Sequence, residues 1–190
     1  MTHRDLGILV VQVLWHLATC NKQSFGIAIR QQIMTLKKIV SGAQTGVDRA
    51  ALDAAMNSSI EVGGWCPEGR LAEDGTIPLL YPVTELPRSG YRQRTKRNVI
   101  DSDGTAIIYF GHPTGGTELT IKFCMSERKP YALIDAEIFT VDQAARKICR
   151  FIGEYNIETL NLAGPRAGGE PRAYGYTYDV VMEVLTEQRN

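Results

Sequence analysis

From Lys37 onward, short β-branched apolar runs alternate with stretches of helical periodicity, and this alternation restricts the fold more than any other feature. Lys38-Ile39-Val40, Ile60-Glu61-Val62, Thr105–Phe110, Tyr131–Ile134 and Thr159–Leu162 read as strands. Between them lies a helical stretch holding Val47, Ala50, Ala51, Leu52, Ala54 and Ala55. Further helices are expected over Tyr91–Ile100, Gly116–Ser126, Val141–Glu154 and Tyr178–Gln188. Residues 63–90 form a long, loop-rich stretch. Strands that are apolar throughout are covered on both faces, and helical crossovers between them make the pairing parallel. The prediction is an α/β fold, a Rossmann-like doubly wound, mostly parallel sheet with helices on both faces, in a single domain over residues 37–190. Ligands of such sheets sit at the carboxyl ends of the strands, in the loops that enter helices.

The 190 residues carry 21 basic and 21 acidic side chains, a balance that argues against a general nucleic-acid or membrane-surface binder. The balance is uneven along the chain. Residues 1–36 hold Arg4, Lys22 and Arg30 against Asp5 alone, so the remainder is slightly acidic. The apolar run Leu6–Cys20 is shorter than the roughly 18–20 residues of a spanning helix. Asp5 also weakens a signal-sequence reading. Residues 1–36 are therefore expected to be an N-terminal extension, either upstream of the true translation start or an added helix. Cys20, Cys66, Cys124 and Cys149 are scattered, with no CxxC pair, which points to a reducing, cytoplasmic setting. None of the three histidines stands in a metal-binding pattern, so no protein-ligated metal is expected.

Three strand-to-helix loops carry candidate chemistry. In Ser41–Arg49, Gly42 and Gly46 let backbone N–H groups approach an anion at a helix start, with Gln44 and Thr45 adding side-chain donors and Arg49 charge. Asp48 is less welcome beside a phosphate and suits a capping role or a hold on Arg49. In the second loop, Thr114-Gly115-Gly116-Thr117 opens a helix with two flexible residues and hydroxyls, a stronger anion signal. In the third, Trp65 is a candidate to stack on a planar ring and Arg70 to meet a phosphate, while Cys66 reads as a buried core thiol. A basic run follows, with Arg88, Arg92, Arg94, Lys96 and Arg97 uninterrupted by an acid. On a helix, Tyr91, Arg94, Thr95 and Asn98 share one face, which turns Arg94 and Thr95 toward the site and Arg92 and Lys96 toward water. Arg166, at the end of the last strand, and Arg172 are placed to reach the same crevice.

Taken together, KIVSGAQTGVDRAALDAA (38–55), GGWCPEGRLAEDG (63–75), YRQRTKRNVIDSDGTAII (91–108), PTGGTELT (113–120), KPYALID (129–135) and NLAGPR (161–166) resemble the molybdenum-cofactor carrier-like family, a Rossmann-like branch of the SLOG superfamily. The resemblance implies a Rossmann-like fold and self-association as a dimer or tetramer. It also implies binding of the molybdenum cofactor (molybdopterin), a phosphate-bearing pterin with a dithiolene-bound metal, or of a nucleotide. The LOG-type phosphoribohydrolases of the same superfamily use a Gly-rich loop followed by a glutamate. Here Glu118 directly follows Thr117, a displacement of about 100° around a helix relative to that pattern, which weakens a hydrolytic role.

The leading expectation is a non-catalytic binding or carrier protein for a phosphorylated small ligand, with no nucleic-acid or membrane partner. A nucleoside 5'-monophosphate phosphoribohydrolase using Glu118 or Asp48, and a nucleotide-sensing regulatory module, are the alternatives.

Overall fold

The computed structural model describes residues 36–188. The expected extension over residues 1–36 lies outside the described residues, apart from Leu36. In chain order the elements are β1 (Lys38–Val40), α1 (Val47–Asn57), β2 (Glu61–Gly63), β3 (Trp65–Pro67), β4 (Leu71–Ala72), β5 (Gly75–Thr76), β6 (Thr84–Leu86) and α2 (Tyr91–Ile100). They continue with β7 (Gly104–Tyr109), α3 (Gly115–Ser126), β8 (Tyr131–Asp135), α4 (Val141–Tyr155), β9 (Thr159–Ala163) and α5 (Ala173–Glu187). The main sheet has the order β2-β1-β9-β7-β8, and every pairing in it is parallel.

The period-two alternation of strand side chains sorts the sheet residues between two cores. On one face, Ala106 and Ile108 of β7 pack with Leu160 and Leu162 of β9 beneath α1, α4 and α5. On the other, Ile107 meets Val99 of α2 and Phe123 and Cys124 of α3. Ile39, Ile108, Ile134, Ile148, Ile152, Leu160 and Leu162 are fully buried. Each such side chain contributes about 1.5–3 kcal/mol relative to exposure. Helices thus cover both faces of one α/β domain, as the continuous apolar strands predict.

Two boundaries differ from the sequence reading. Helix α5 begins at Ala173 rather than Tyr178, and its first turn contains Gly175 and lacks a side-chain cap, so the local signal there is weak. Residues 63–90 also hold short strands: β3 pairs parallel with β6, and β4 pairs antiparallel with β5. None exceeds three residues, too short for periodicity to show. This connection packs through Cys66, Ile77, Tyr81 and Val83 against Ala43 and Leu52.

The topology also fixes where a crevice opens. From β1 the chain moves through α1 to β2 at one edge; from β7 it moves through α3 to β8 at the other. Strand β9 then returns between β1 and β7. The carboxyl ends of β1, β9 and β7 therefore flank the point where the winding reverses.

Candidate functional site

A cleft of about 500 Å³ opens at that point. The segment after β1 contributes Gln44 and Asp48, and the stretch from the end of β7 contributes Tyr109 to Thr117 except Gly111. Gly164, Pro165, Arg166, Gly169 and Glu170 follow from β9, while α2 supplies Tyr91, Arg92, Arg94 and Thr95. A smaller recess of about 60 Å³ shares Asp48, Arg94, Thr95, Gly116 and Gly164 with the cleft and also reaches Gly42 and Asn161.

The start of α3 faces this space. Thr114 is its N-cap residue but makes no side-chain capping bond. The amides of Thr117 and Glu118 turn back to the Thr114 carbonyl at 3.1 and 3.4 Å. Those of Gly115 and Gly116 have no acceptor among the described residues, as the first amides of a helix lack an intrahelical partner. Both glycines are exposed, and a Cβ built on either meets no atom within 4 Å among the described residues.

Helix α1 begins differently. Its Val47 amide donates to the Pro165 carbonyl at 3.2 Å. The Gln44 side-chain carbonyl accepts from the Thr45 and Glu73 amides at 3.0 and 2.9 Å, and the Gln44 amide donates to Asp48 Oδ2 at 3.2 Å. The loop that resembles an anion cradle is thus engaged by its own side chains and by the Pro165 carbonyl and Glu73 amide. Gly46 holds a φ of 76°, and a Cβ there would sit 2.5 Å from the Pro165 carbonyl oxygen. Its role is to let the loops after β1 and β9 touch.

Asp48 and Arg94 form the floor of the cleft. Arg94 Nη1 donates to Asp48 Oδ2 at 3.0 Å, and the two side chains are only 13% and 8% exposed. Gly42 makes this possible, since a Cβ on it would lie 1.2 Å from Arg94 Nη1. Arg94 Nε is buried with no acceptor among the described residues.

Of the sequence-predicted residues, the structure gathers Gln44, Arg94, Thr114, Gly115, Gly116, Thr117 and Arg166 around the cleft and Gly42 around the recess. It does not bring Thr45, Gly46, Arg49, Trp65 or Arg70 to the lining. Thr45 Oγ1 donates to Glu73 and accepts from the Ala167 amide at 3.1 Å. Arg49 makes a bidentate pair with Asp74 at 2.6 and 2.8 Å, which holds the Asp74 carboxyl below its ordinary range. Trp65 donates from its indole nitrogen to Asp101 Oδ2 at 2.8 Å, under the Arg97 guanidinium. Arg70 donates to the carbonyls of Ile77, Val83, Pro78 and Tyr81, clasping the connection between β3 and β6. Burial pushes the Cys66 thiol upward, as befits a core cysteine.

Arg92, placed toward water by helical periodicity, lines the cleft mouth with its guanidinium over the Phe123 ring. Lys96 pairs with Glu127 at 2.9 Å. Tyr91, Phe110, His112 and Glu170 also line the cleft without having been singled out as binding residues. Tyr91 shares the helical face of Arg94, and Phe110 and His112 continue directly from β7, so the strand-end rule points at both. Nothing local marks Glu170.

The rim is organised by carboxylates. Asp135 Oδ1 accepts from the amides of Gly111 and Glu137 at 3.0 Å, fixing the loop after β7. Burial, with Asp135 nearby, raises the Tyr109 hydroxyl. Burial acts to raise the Glu73 carboxyl, but hydrogen bonds from Thr45 and the Gly168 amide, with the Arg166 charge at 3.3 Å, outweigh it and hold it down. Glu170 is held down to about 2 by its hydrogen bonds with Arg172. Arg172 also reaches Glu137 and lies over the Phe110 ring. Glu118 pairs with Lys122 at 2.5 Å and does not line the cleft.

Among the described residues, no group of three or more His, Cys, Asp or Glu side chains is arranged to hold a metal ion. No helix among them is long and apolar enough to cross a membrane.

Comparison with known proteins agrees with this architecture. A crystal structure from Syntrophus aciditrophicus SB, named "Putative molybdenum carrier protein", is 45% identical with a TM-score of 0.78, covering 80% of this chain and 96% of that one. No curated protein matches. The family model of the circularly permutated YpsA SLOG family matches residues 39–185, which span the fold from β1 to α5 but for the first residue of β1 and the last two of α5. The chain belongs to the circularly permutated YpsA SLOG family.

Proposed function

We propose that this protein is a binding or carrier protein for a small phosphorylated ligand, either the molybdenum cofactor or a nucleotide, held in the cleft between α2 and the ends of β7 and β9. The observation that carries the reading is the α3 start. Two amides without acceptors among the described residues open into a cleft whose mouth bears Arg92 and Arg166. A helix N-terminus presents N–H groups and partial positive charge to an anion. Backbone amides bind phosphate oxygens directly, while arginines add charge. The remaining volume suits a ring system, with Tyr91, Phe110 and His112 along its walls.

A phosphate-bearing pterin fits these residues through its organic part. The phosphate would lie on Gly115, Gly116, Arg92 and Arg166, and the ring between α2 and the β7 loop. The relative from Syntrophus aciditrophicus carries the carrier name and supports this choice of ligand class. The position of Glu118 in a surface ion pair with Lys122 speaks for binding over glycosidic hydrolysis.

Mass spectrometry of small molecules released from gently purified protein, joined to calorimetric titration with nucleoside monophosphates, tests the reading. A released phosphorylated ring compound, or micromolar binding of one in titration, is expected. Release of none, together with no binding below the millimolar range, would overturn it.

A further inference from the structure

The inner recess differs in charge from the cleft mouth. The mouth carries Arg92 and Arg166 against Glu170, whereas the recess holds one carboxylate and one guanidinium, Asp48 and Arg94, with no net charge between them. Its other polar side chains are already engaged. Thr95 donates to the Tyr91 carbonyl, Thr120 to the Gly116 carbonyl, and Asn161 to Thr105. Asn98 spans the Trp65 backbone through both of its amide atoms. The charged donors and acceptor that stay available belong to the ion pair. Both described bonds to Asp48 fall on Oδ2, leaving Oδ1 as an acceptor. Arg94 uses Nη1 on Asp48; its Nε is sealed away from the recess, and its Nη2 makes no hydrogen bond among the described residues, so the spare donors are those of the guanidinium tip.

A buried guanidinium with donors to spare is costly unless something supplies acceptors. A second anion is a poor candidate, because it would meet the Asp48 carboxylate across a recess of about 60 Å³. A neutral group offering an acceptor beside a donor matches both members. The acceptor must serve more than one arginine donor, and a carbonyl oxygen with two lone pairs does so where a ring nitrogen with one does not. The donor must be an N–H aimed at Asp48 Oδ1. An N–H next to a C=O within a ring is a lactam edge, and the recess volume suits such an edge rather than a whole ring.

We infer that the recess is a specificity pocket that reads the lactam edge of the ligand's heterocycle, with Arg94 donating to the carbonyl and Asp48 accepting from the ring N–H. This rests on the proposed binding of a phosphorylated ring compound, and it adds which rings are admitted. Rings with an amidine edge in place of the lactam leave Arg94 with one acceptor lone pair instead of two, and they are discriminated against.

The experiment is calorimetric titration of the full chain with two ligand pairs that differ mainly at this edge: inosine monophosphate against adenosine monophosphate, and pterin against diaminopteridine. In every pair that binds, the lactam member is expected to bind at least about tenfold more tightly, the usual consequence of leaving buried donors unpaired. Asp48→Asn, checked for folding by thermal melting, is expected to abolish that preference. Equal or reversed affinities within a binding pair overturn the inference while leaving the proposed function standing. A preference unchanged in Asp48→Asn overturns the role of Asp48. Failure of all four compounds to bind overturns the inference; the proposed function falls with it only if the purified protein also releases no phosphorylated ring compound. If Asp48→Asn does not fold, the wild-type comparison alone decides.

Discussion

At the scale of single residues, Gly42 and Arg70 show how differently two motif positions are used. A Cβ on Gly42 would overlap Arg94 Nη1 at 1.2 Å and press on Asp48 Oδ2 at 2.9 Å. Gly42→Ala is therefore predicted to cost about 1–3 kcal/mol in denaturant unfolding, as overpacking does. It should also weaken ligand binding, because Arg94 must move. Arg70 instead supports the chain it sits in. Arg70→Met removes four bonds to carbonyls, and urea unfolding should register a loss of about 2–4 kcal/mol. Ligand affinity of the protein that remains folded should not change. The sequence carries no mark that separates these cases. An arginine in a Gly-rich loop looks the same whether it clasps carbonyls or faces a ligand, because its partners lie 7 to 13 residues away in a connection with no periodicity. Trp65 is hidden for a similar reason, since its partner Asp101 is 36 residues distant. Arg94 was legible because helical geometry alone puts it on the face that meets the sheet.

At the scale of elements, helix starts separate into those that are closed and those that are open. Helix α4 is closed by its own sequence. Thr140 and Gln143 form a capping box, with the Thr140 amide donating to Gln143 Oε1 at 3.0 Å and Thr140 Oγ1 accepting from the Gln143 amide at 3.4 Å. Thr140→Ala should lower thermal stability by about 1 kcal/mol, with no change in ligand binding. Helix α1 is closed by Asp48, Gln44 and the Pro165 carbonyl, a closure that depends on β9 lying beside β1. Helix α3 is left open. Both glycine-bearing loops look like anion sites in sequence, and only tertiary contacts distinguish the closed from the open. The strands and helices themselves were readable because β7, β8 and β9 are five or six residues long and apolar. The strands of residues 63–90 were not, being held by cross-chain bonds and not by their own pattern.

At the scale of the whole molecule, the connection over residues 63–90 is tied to α1 and α5 through one carboxylate. Tyr174 donates to Asp53 Oδ2 at 2.7 Å, and the Asp53 carboxylate also acts on the Tyr81 hydroxyl. Burial first, and then Asp53, push the Tyr81 hydroxyl from 10.0 up to about 12, and Tyr174 is raised by the same two causes. The folded state therefore keeps these phenols protonated where the unfolded chain ionises them. Stability is complete below pH 10 and should fall as pH climbs from 10 toward about 12. Melting temperatures across that range should decline less steeply in Asp53→Asn, which removes one of the two causes. An equally steep decline would show that the carboxylate is not part of the tie.

In the proposed function, the winding reversal at β1, β9 and β7 creates a cleft for a phosphorylated ring compound anchored on α3. A crystal structure grown with inosine monophosphate tests it most directly. The phosphate is expected within hydrogen-bond reach of the Gly115 and Gly116 amides, with the base directed toward Asp48 and Arg94. A phosphate bound elsewhere on the molecule, with the α3 amides left to water, would contradict it.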